Sequence, residues 1–474
     1  VSAPAIGAKE AFKEALKTLS GKVAFGLLLI IVLMGVATPI YAPYNVVKAW
    51  SMREVWMDNP PCAAPAWVQF FVHKKLPKTI IIENEDFHKS ASTMEHGGVT
   101  YKFIYLDAYF DYPYDEFPNK ISTFILQVTP TASNTNYVIL SVTFERPDGG
   151  KITFVSDSSV PVNKTLELRE TTKDVVEAAG SYVQSITGEF PKNPLPYVIL
   201  FAEKGEYMND PKHAEVLKGT YRIHIKCIAV GDPNANVAAR FVLYGRVYGM
   251  AGTDSYRRDL MIGLLWGAPI ALAFGIVAAV VVNLVQTILG VISGYFGGKV
   301  DDAVQRVAEL MMIIPVLPIL ILISFIYHIR IWTLLAILVA FGIVGATTKT
   351  VRSMVPSIKE EQYILAAKSY GAGSWRIIFK HIFPRVLPYT FSLIATAVPA
   401  YIFLEAALSF LGLGDPILPT WGKILGDAEV ANAAYYGYWW WIVLPAACIG
   451  ITAMAFALLG YAFDKVINPR LREM

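Results

Sequence analysis

The feature that most restricts this chain is a set of apolar runs, each long enough to cross a bilayer, interrupted by a long segment of quite different character. About 30 Å of hydrocarbon is crossed by about 20 residues at 1.5 Å each, and an unpaired backbone group is too costly in lipid for anything but helices or a closed barrel. The first run covers 23–41, and further candidates lie near 269–292, 303–327, 331–350, 387–411 and 439–463. The expected fold is therefore a polytopic α-helical membrane protein of about six transmembrane helices. Lys13, Lys17 and Lys22 ahead of the first run resemble the basic flank of a leader peptide. That run is longer than a leader's apolar core, however, and Pro39 falls where a small-residue cleavage site would be needed, so a retained helix over 23–43 is expected. The stretch 259–267 is too much for the second crossing and carries Trp266, which assigns it to the interface, with Pro269 starting the helix.

Residues 44–248 read as a water-soluble insertion. Short β-branched and aromatic runs at 99–106, 123–128, 137–144, 151–155, 220–230 and 237–244 are broken by Gly, Pro, Asn and Asp. Asp148-Gly149-Gly150 between two of them fits a hairpin turn. Only 171–187 has helical spacing. A β-rich, sandwich-like domain with at least one helix is expected.

Charge sets the orientation. Lys9, Lys13, Lys17 and Lys22 precede the first helix, and Arg352, Lys359, Lys368, Arg376, Lys380 and Arg385 crowd the loop between the fourth and fifth, whereas the 414–438 loop carries Asp415, Asp427 and Glu429 against Lys423. Basic loops stay cytoplasmic. Segment 1–22 and both termini are thus expected inside, the insertion outside, and the Tyr435 to Trp441 aromatics at the outer interface.

The composition, 54% hydrophobic and 17% charged with a formal net charge of +3, gives no support for nucleic-acid binding. Each Gly-Lys pair, at Lys22, Lys151, Lys299 and Lys423, is followed by Val or Ile where a phosphate loop needs Ser or Thr. No HExxH or nucleophile-elbow pattern occurs, and Cys62, Cys227 and Cys448 have no metal-ligand spacing. No enzymatic chemistry, metal or cofactor is expected in this chain. Cys62 and Cys227 both fall in the external domain, where a disulfide between them would persist.

Segment 357–388 reads SIKEEQYILAAKSYGAGSWRIIFKHIFPRVLP. Ser357 and Glu360 have capping-box spacing, and Gly371 suits a left-handed stop, so a short cytoplasmic helix over about 357–371 is expected. Its small Ala366 and Ala367 would let another surface approach closely, although a basic loop also serves topology alone. The segment resembles the cytoplasmic signature of ABC importer permeases, with Ala366, Ala367 and Gly371 in register and His381-Ile382-Phe383-Pro384 following. Leu365 departs from that pattern, replacing a glutamate. Gly252-Thr253-Asp254 with Arg258-Asp259, Gly294-Tyr295-Phe296-Gly297-Gly298, and Leu408 to Gly414 with Trp421-Gly422 resemble the dipeptide and oligopeptide branch, as does Asn468-Pro469-Arg470. The resemblance covers the first helix and 249–474, and leaves the insertion uncovered.

The resemblance implies a type I ABC importer permease fold working by alternating access. Glu361, Leu365, Ala366, Ala367 and Gly371 would form the coupling helix. Two ATPase subunits would hold ATP and Mg, a second homologous permease would complete the pathway, and an extracellular solute-binding protein would deliver peptide, nickel or oligosaccharide. The insertion is expected to help dock that binding protein. Inside the membrane, Glu405 is expected to make an interhelical hydrogen bond or to line the substrate path, and Asn283 and Gln286 either to bridge helices or to face that path. Gly290, Gly294 and Gly298 share a helical face suited to close packing, Pro315 and Pro318 would kink the third helix, and Arg306 and Glu309 have pairing distance. The rival readings are a proton-coupled secondary transporter, which would need more intramembrane carboxylates than Glu405, and a membrane-anchored receptor working through its β-rich domain.

Overall fold

The computed structural model describes residues 13–327, 329–415 and 417–467; Lys9 and Asn468-Pro469-Arg470 lie outside the described residues. Helix α1 (Leu19–Tyr41) comes first. Strands β1 (Ile80–Ile82), β2 (His88–His96), β3 (Val99–Tyr112), β4 (Phe124–Thr131), β5 (Tyr137–Glu145), β6 (Lys151–Pro161) and β7 (Leu166–Arg169) follow. Next are α2 (Lys173–Thr187), β8 (Gly219–Val230) and β9 (Asn236–Leu243). The chain continues through α3 (Leu260–Phe296), α4 (Gly298–Ile313), α5 (Val316–Tyr327), α6 (Ile331–Gly342) and α7 (Ala346–Lys359). It ends with α8 (Gln362–Ser369), α9 (Phe383–Phe410), α10 (Trp421–Val430) and α11 (Trp439–Ile467). Two compact units result: Val1–Ser51 with Ile262–Met474, and Met52–Met261.

The second unit is an antiparallel sandwich. One sheet has the order β1-β9-β4-β7 and the other β2-β3-β8-β5-β6. Alternating residues of both sheets, among them Ile104, Leu126, Leu140, Ile225 and Phe241, form a single core. Phe110 joins the layers by stacking on Tyr221 at 5.4 Å and on Phe241 at 5.5 Å. The expected strands all form, and Gly149 turns the β5–β6 hairpin at φ +79°. Strand β2 escaped sequence reading because all nine of its residues are exposed, so it carries no apolar alternation.

No disulfide joins Cys62 to Cys227; both are thiols. Cys227 faces the sandwich core from β8, whereas the Cys62 N–H is tied to the Asp254 carbonyl at 2.9 Å in a separate turn. Burial pushes the Cys227 thiol up to about 11, which leaves little thiolate to react.

In the first unit, 19–41, 260–296, 374–410 and 439–466 are each long and apolar enough to cross a membrane. Two bent pairs, α4 with α5 at 67° and α6 with α7 at 41°, bring the total to as many as six spans among the described residues. The chain is thus a multi-pass membrane protein. Two expectations need correction here. Residues from 260 to 267 are not a separate interfacial segment, because α3 runs unbroken for 37 residues through Pro269. Proline has no N–H for the carbonyl four residues back, and here the Thr38 hydroxyl of α1 donates to that Leu265 carbonyl at 2.9 Å. Trp421 Nε1 similarly donates to the Leu264 carbonyl at 2.9 Å. The kink falls at Pro315, ahead of which Ile314 is extended; Pro318 sits in the first turn of α5, where a missing N–H breaks no helical bond.

Gly290 and Gly294 do serve close packing. A Cβ on Gly290 would lie 2.7 Å from the Thr348 carbonyl oxygen, and one on Gly294 would lie 2.9 Å from that of Arg352. Gly298 leaves this face and begins α4 at φ +53°. Glu309 pairs with Lys349 of α7 at 3.0 Å, so the expected Arg306 partnership is replaced by a bond between helices.

Gly294→Val should therefore lower stability by about 1–3 kcal/mol through overpacking, read as an earlier thermal midpoint in detergent. Gly450→Ala, where a Cβ meets nothing within 4 Å, is the neutral control. Equal midpoints for the two variants would show that α3 and α7 do not pack through this face.

In the sandwich, Asp232 accepts backbone N–H bonds from Asn134 at 2.8 Å, Ser133 at 2.5 Å and Asn234 at 2.8 Å. The bonds from Asn134 and Ser133 hold its carboxyl below the ordinary value of 3.8. Its contribution is then present above that ordinary value and is lost as pH falls through the depressed folded value. Asp232→Ala should speed amide exchange in the 132–136 loop at neutral pH, and the difference from the unsubstituted chain should close in strong acid. A difference independent of pH would rule out the ionised carboxylate as its source.

Candidate functional site

The conspicuous polar segment between membrane helices is built around α8. The expected capping box does not form, because α7 continues through Pro356 to Lys359 and absorbs Ser357, whose Oγ donates to the Met354 carbonyl at 2.9 Å. The short helix starts instead at Gln362 with Glu361 as its N-cap. The Glu361 carboxylate lies 3.6 Å from Arg385 Nη2 at the start of α9, which ties the beginning of α8 to the next membrane span. Its end is closed by a Schellman motif: Ala372 N–H donates to the Ala367 carbonyl at 3.0 Å and Gly371 N–H to that of Lys368 at 3.0 Å. Gly371 takes φ +80°, as its position required.

One residue anchors this helix. Ile364 is 2% exposed, in a cluster with Val355, Ile358, Ile377 and Ile382. Around it Tyr363, Leu365 and Ala366 are exposed, Ala367 is half-buried, and Tyr370 is 93% exposed. Trp375 and Phe379, also exposed, stack at 5.9 Å. Sequence reading passed over the four aromatics Tyr363, Tyr370, Trp375 and Phe379; their signal was apolar bulk within an otherwise basic loop.

Asn283 and Gln286 bridge helices. Gln286 Nε2 donates to the Gly342 carbonyl at 2.5 Å, at the end of α6, and its Oε1 accepts from Thr347 N–H at 3.1 Å, in the first turn of α7. Thr347 Oγ1 meets Asn283 Oδ1 at 3.2 Å. One amide from α3 thus satisfies a backbone group on either side of the α6–α7 bend. Glu405 is 2% exposed; Ser409 Oγ donates to it at 2.6 Å within α9, and the Thr420 side chain, preceding α10, is a second hydrogen-bonding neighbour.

A cavity of about 590 Å³ lies beside this group, lined by Ser324, Phe325, Ser409, Gly412, Lys423 and Asp427 among others. Ser409 of this lining is the residue that donates to Glu405. Asp415, read in the sequence only as one of the acidic charges of the 414–438 loop, organises the start of that loop. Its carboxylate accepts from Ile417 N–H at 2.9 Å, Leu418 N–H at 3.0 Å and Ile331 N–H at 3.3 Å, the last at the start of α6. Among the described residues, no three of His, Cys, Asp and Glu gather to hold a metal ion.

The family model for the binding-protein-dependent transport system inner membrane component matches residues 286–473. The dipeptide transport system permease protein DppC of Bacillus subtilis (strain 168) is 35% identical over 223 residues, which is 47% of this chain and 69% of that protein. The oligopeptide transport system permease protein OppC of the same organism is 34% identical over 223 residues, 47% of this chain and 72% of its own. A putative peptide transport system permease protein of Brucella suis biovar 1 is 33% identical over 249 residues, covering 52% and 81%. The segment carrying α8, the α6–α7 bend and Glu405 lies within the matched region, and the chain belongs to the binding-protein-dependent inner membrane permeases of ABC importers, the family of these dipeptide and oligopeptide permeases.

Proposed function

We propose that this chain imports dipeptides or oligopeptides, paired with a second homologous permease and driven by two ATPase subunits that act through α8. The observation that carries the reading is the build of α8: a two-turn helix fixed by Ile364, Glu361 and a Schellman end, yet presenting Leu365, Ala366 and Tyr370 outward. A rigid element with an uncovered apolar face is suited to transmit force to a partner, and a helix serving only topology would need neither feature. The charge asymmetry of the short loops supports cytoplasmic termini, α8 inside and the sandwich outside, available to a solute-binding protein. The peptide substrate rests on the relatives, which are dipeptide and oligopeptide permeases. Asn283 and Gln286 act as struts that let α6 and α7 bend without losing backbone hydrogen bonds, and Glu405 braces the wall of the cavity.

Coupling is tested by Ala367→Glu and Leu365→Glu. A buried unpaired charge costs several kilocalories, so each should reduce co-purification of the ATPase subunits by about tenfold or more and abolish uptake in vesicles, with membrane insertion intact. Glu206→Gln, in the sandwich, is the control. Retention of ATPase binding and uptake by both variants would exclude α8 as the coupling element.

The strut is tested by Gln286→Leu, which leaves the Gly342 carbonyl and the Thr347 N–H without their side-chain partner and should cost about 2–4 kcal/mol. Hydrogen exchange at Thr347 should accelerate, while Gln286→Glu, which keeps the acceptor, should protect that amide. Identical exchange in both variants would refute the assignment.

A further inference from the structure

The edge of a sheet carries unpaired N–H and C=O groups that can accept another strand, and folds blunt it with short strands, bulges or proline. Three of the four edges of the sandwich are blunted in this way. In one sheet β1 has three residues and β7 four. In the other, β6 meets β5 through register shifts between Leu140 and Thr143 and ends at Pro161. Strand β2 is the exception: it has nine residues, no proline and an unbroken register against β3, from His88–Asp107 to His96–Val99. All nine residues are exposed, and among the described residues only β3 pairs with it.

The hairpin fixes which backbone groups face outward. Gly97 at φ +58° and Gly98 at φ +76° join β2 to β3 in a two-residue turn. The pair beside such a turn, here His96 and Val99, exchanges both backbone bonds, and bonded pairs recur at every second residue. His88, Ser90, Ser92, Met94 and His96 therefore direct their N–H and C=O groups to β3, and those of Lys89, Ala91, Thr93 and Glu95 point to the open edge. These four include the strand's lysine and its glutamate, and neither has a counter-charge in the domain. Lys89 Nζ donates to the uncharged Asn236 amide oxygen, and burial together with Lys102 of β3 holds its ammonium below the ordinary value. Among the described residues no cation pairs with Glu95.

We propose that β2 pairs antiparallel with β2 of a second copy of this chain, centred on Ser92, joining the two sheets into one. In this register Lys89 faces the second copy's Glu95, and Glu95 faces its Lys89. Directly opposed side chains share a face of the sheet, so two ion pairs form, one on each side of the axis. Ala91 faces Thr93 between them, and the four residues with free backbone groups are thus the four that bond. A slip of two residues, the nearest register that still makes backbone bonds, sets Lys89 opposite Thr93 or Gly97 and forms neither ion pair. The strand is complementary to itself in one register, which selects a second copy over an unrelated strand; against most other strands the same charges guard the edge.

The test uses the full chain in detergent. Ser92 stands opposite its own copy at a position without backbone bonds, where Cα atoms are about 4.5 Å apart and within disulfide reach. Ser92→Cys should therefore form an intermolecular disulfide under mild oxidation, in about fivefold greater yield than Ser90→Cys, which stands opposite Met94 and about 14 Å along the strand from its own copy. The unsubstituted chain gives the background from Cys62, Cys227 and Cys448. Lys89→Glu and Glu95→Lys each convert both ion pairs into like-charged pairs and should weaken the dimer about tenfold in analytical ultracentrifugation, whereas the chain carrying both substitutions should recover it. That recovery separates loss of the contact from loss of folding. A chain monomeric at every concentration, a dimer indifferent to the single substitutions or not recovered by the double one, or equal crosslinking at 90 and 92 would overturn the proposal. Slowed exchange of the Ala91 and Thr93 amides only when a solute-binding protein is added would overturn it in favour of that protein as the added strand.

Discussion

Backbone polar groups left unpaired in hydrocarbon are the constraint on which the membrane unit depends, and three side chains answer it where the helices cannot. Thr38 takes the Leu265 carbonyl that Pro269 abandons, and α3 remains a single helix. Gln286 serves both sides of the α6–α7 bend, and Asp415 accepts the first N–H of α6. Each repair comes from a different element, so the bonds that permit irregularity also join helices remote in sequence. The glycines of α3 complete the arrangement by admitting α7 to backbone distance, which aligns Gln286 with the break that it spans.

The same logic gives the cytoplasmic segment its character. Helix α8 is too short to hold itself together by propagation alone, and its ends and its single apolar anchor substitute for length. Glu361 and Ile364 hold it to the permease, and Gly371 releases the chain in a new direction. What is left uncovered is apolar and small-residue surface in a basic setting. A helix so fixed is tied to α7 and α9, to which its two ends connect, and through Ile364 to the cluster that also holds Val291 of α3.

Much of this was legible in the sequence because strong periodicities dominated it. The apolar runs gave the spans, and the alternation of β3, β4, β5, β8 and β9 gave the sandwich. The position of Gly371 was fixed by its backbone conformation. Failures occurred where a distant partner overrode a local signal. Pro269 reads as a helix start only if nothing replaces its missing N–H, and Thr38, 227 residues away, does so. Ser357 and Glu360 have the spacing of a cap, but α7 extends past them. Cys62 and Cys227 share a domain without sharing a packing environment, which cysteine counting does not reveal. Asn283 and Gln286 stand out in the sequence as costly polar groups in a span, but their hydrogen-bond partners lie at a bend that the sequence does not mark.

The pairing of the sandwich's first and last segments bears on how the membrane unit assembles. The Thr38–Leu265 contact closes a loop of 227 residues, and forming it around an unstructured insertion would carry the full entropic penalty of that length. Once Asn59 is bonded to Arg257, and Ala64 lies against Val247, the ends of the insertion are held together. The flexible path between Thr38 and Leu265 then shrinks to roughly 30 residues, which relieves about 2 kcal/mol of closure entropy. A folded insertion thereby lowers the entropic cost of joining α1 to α3 through that contact.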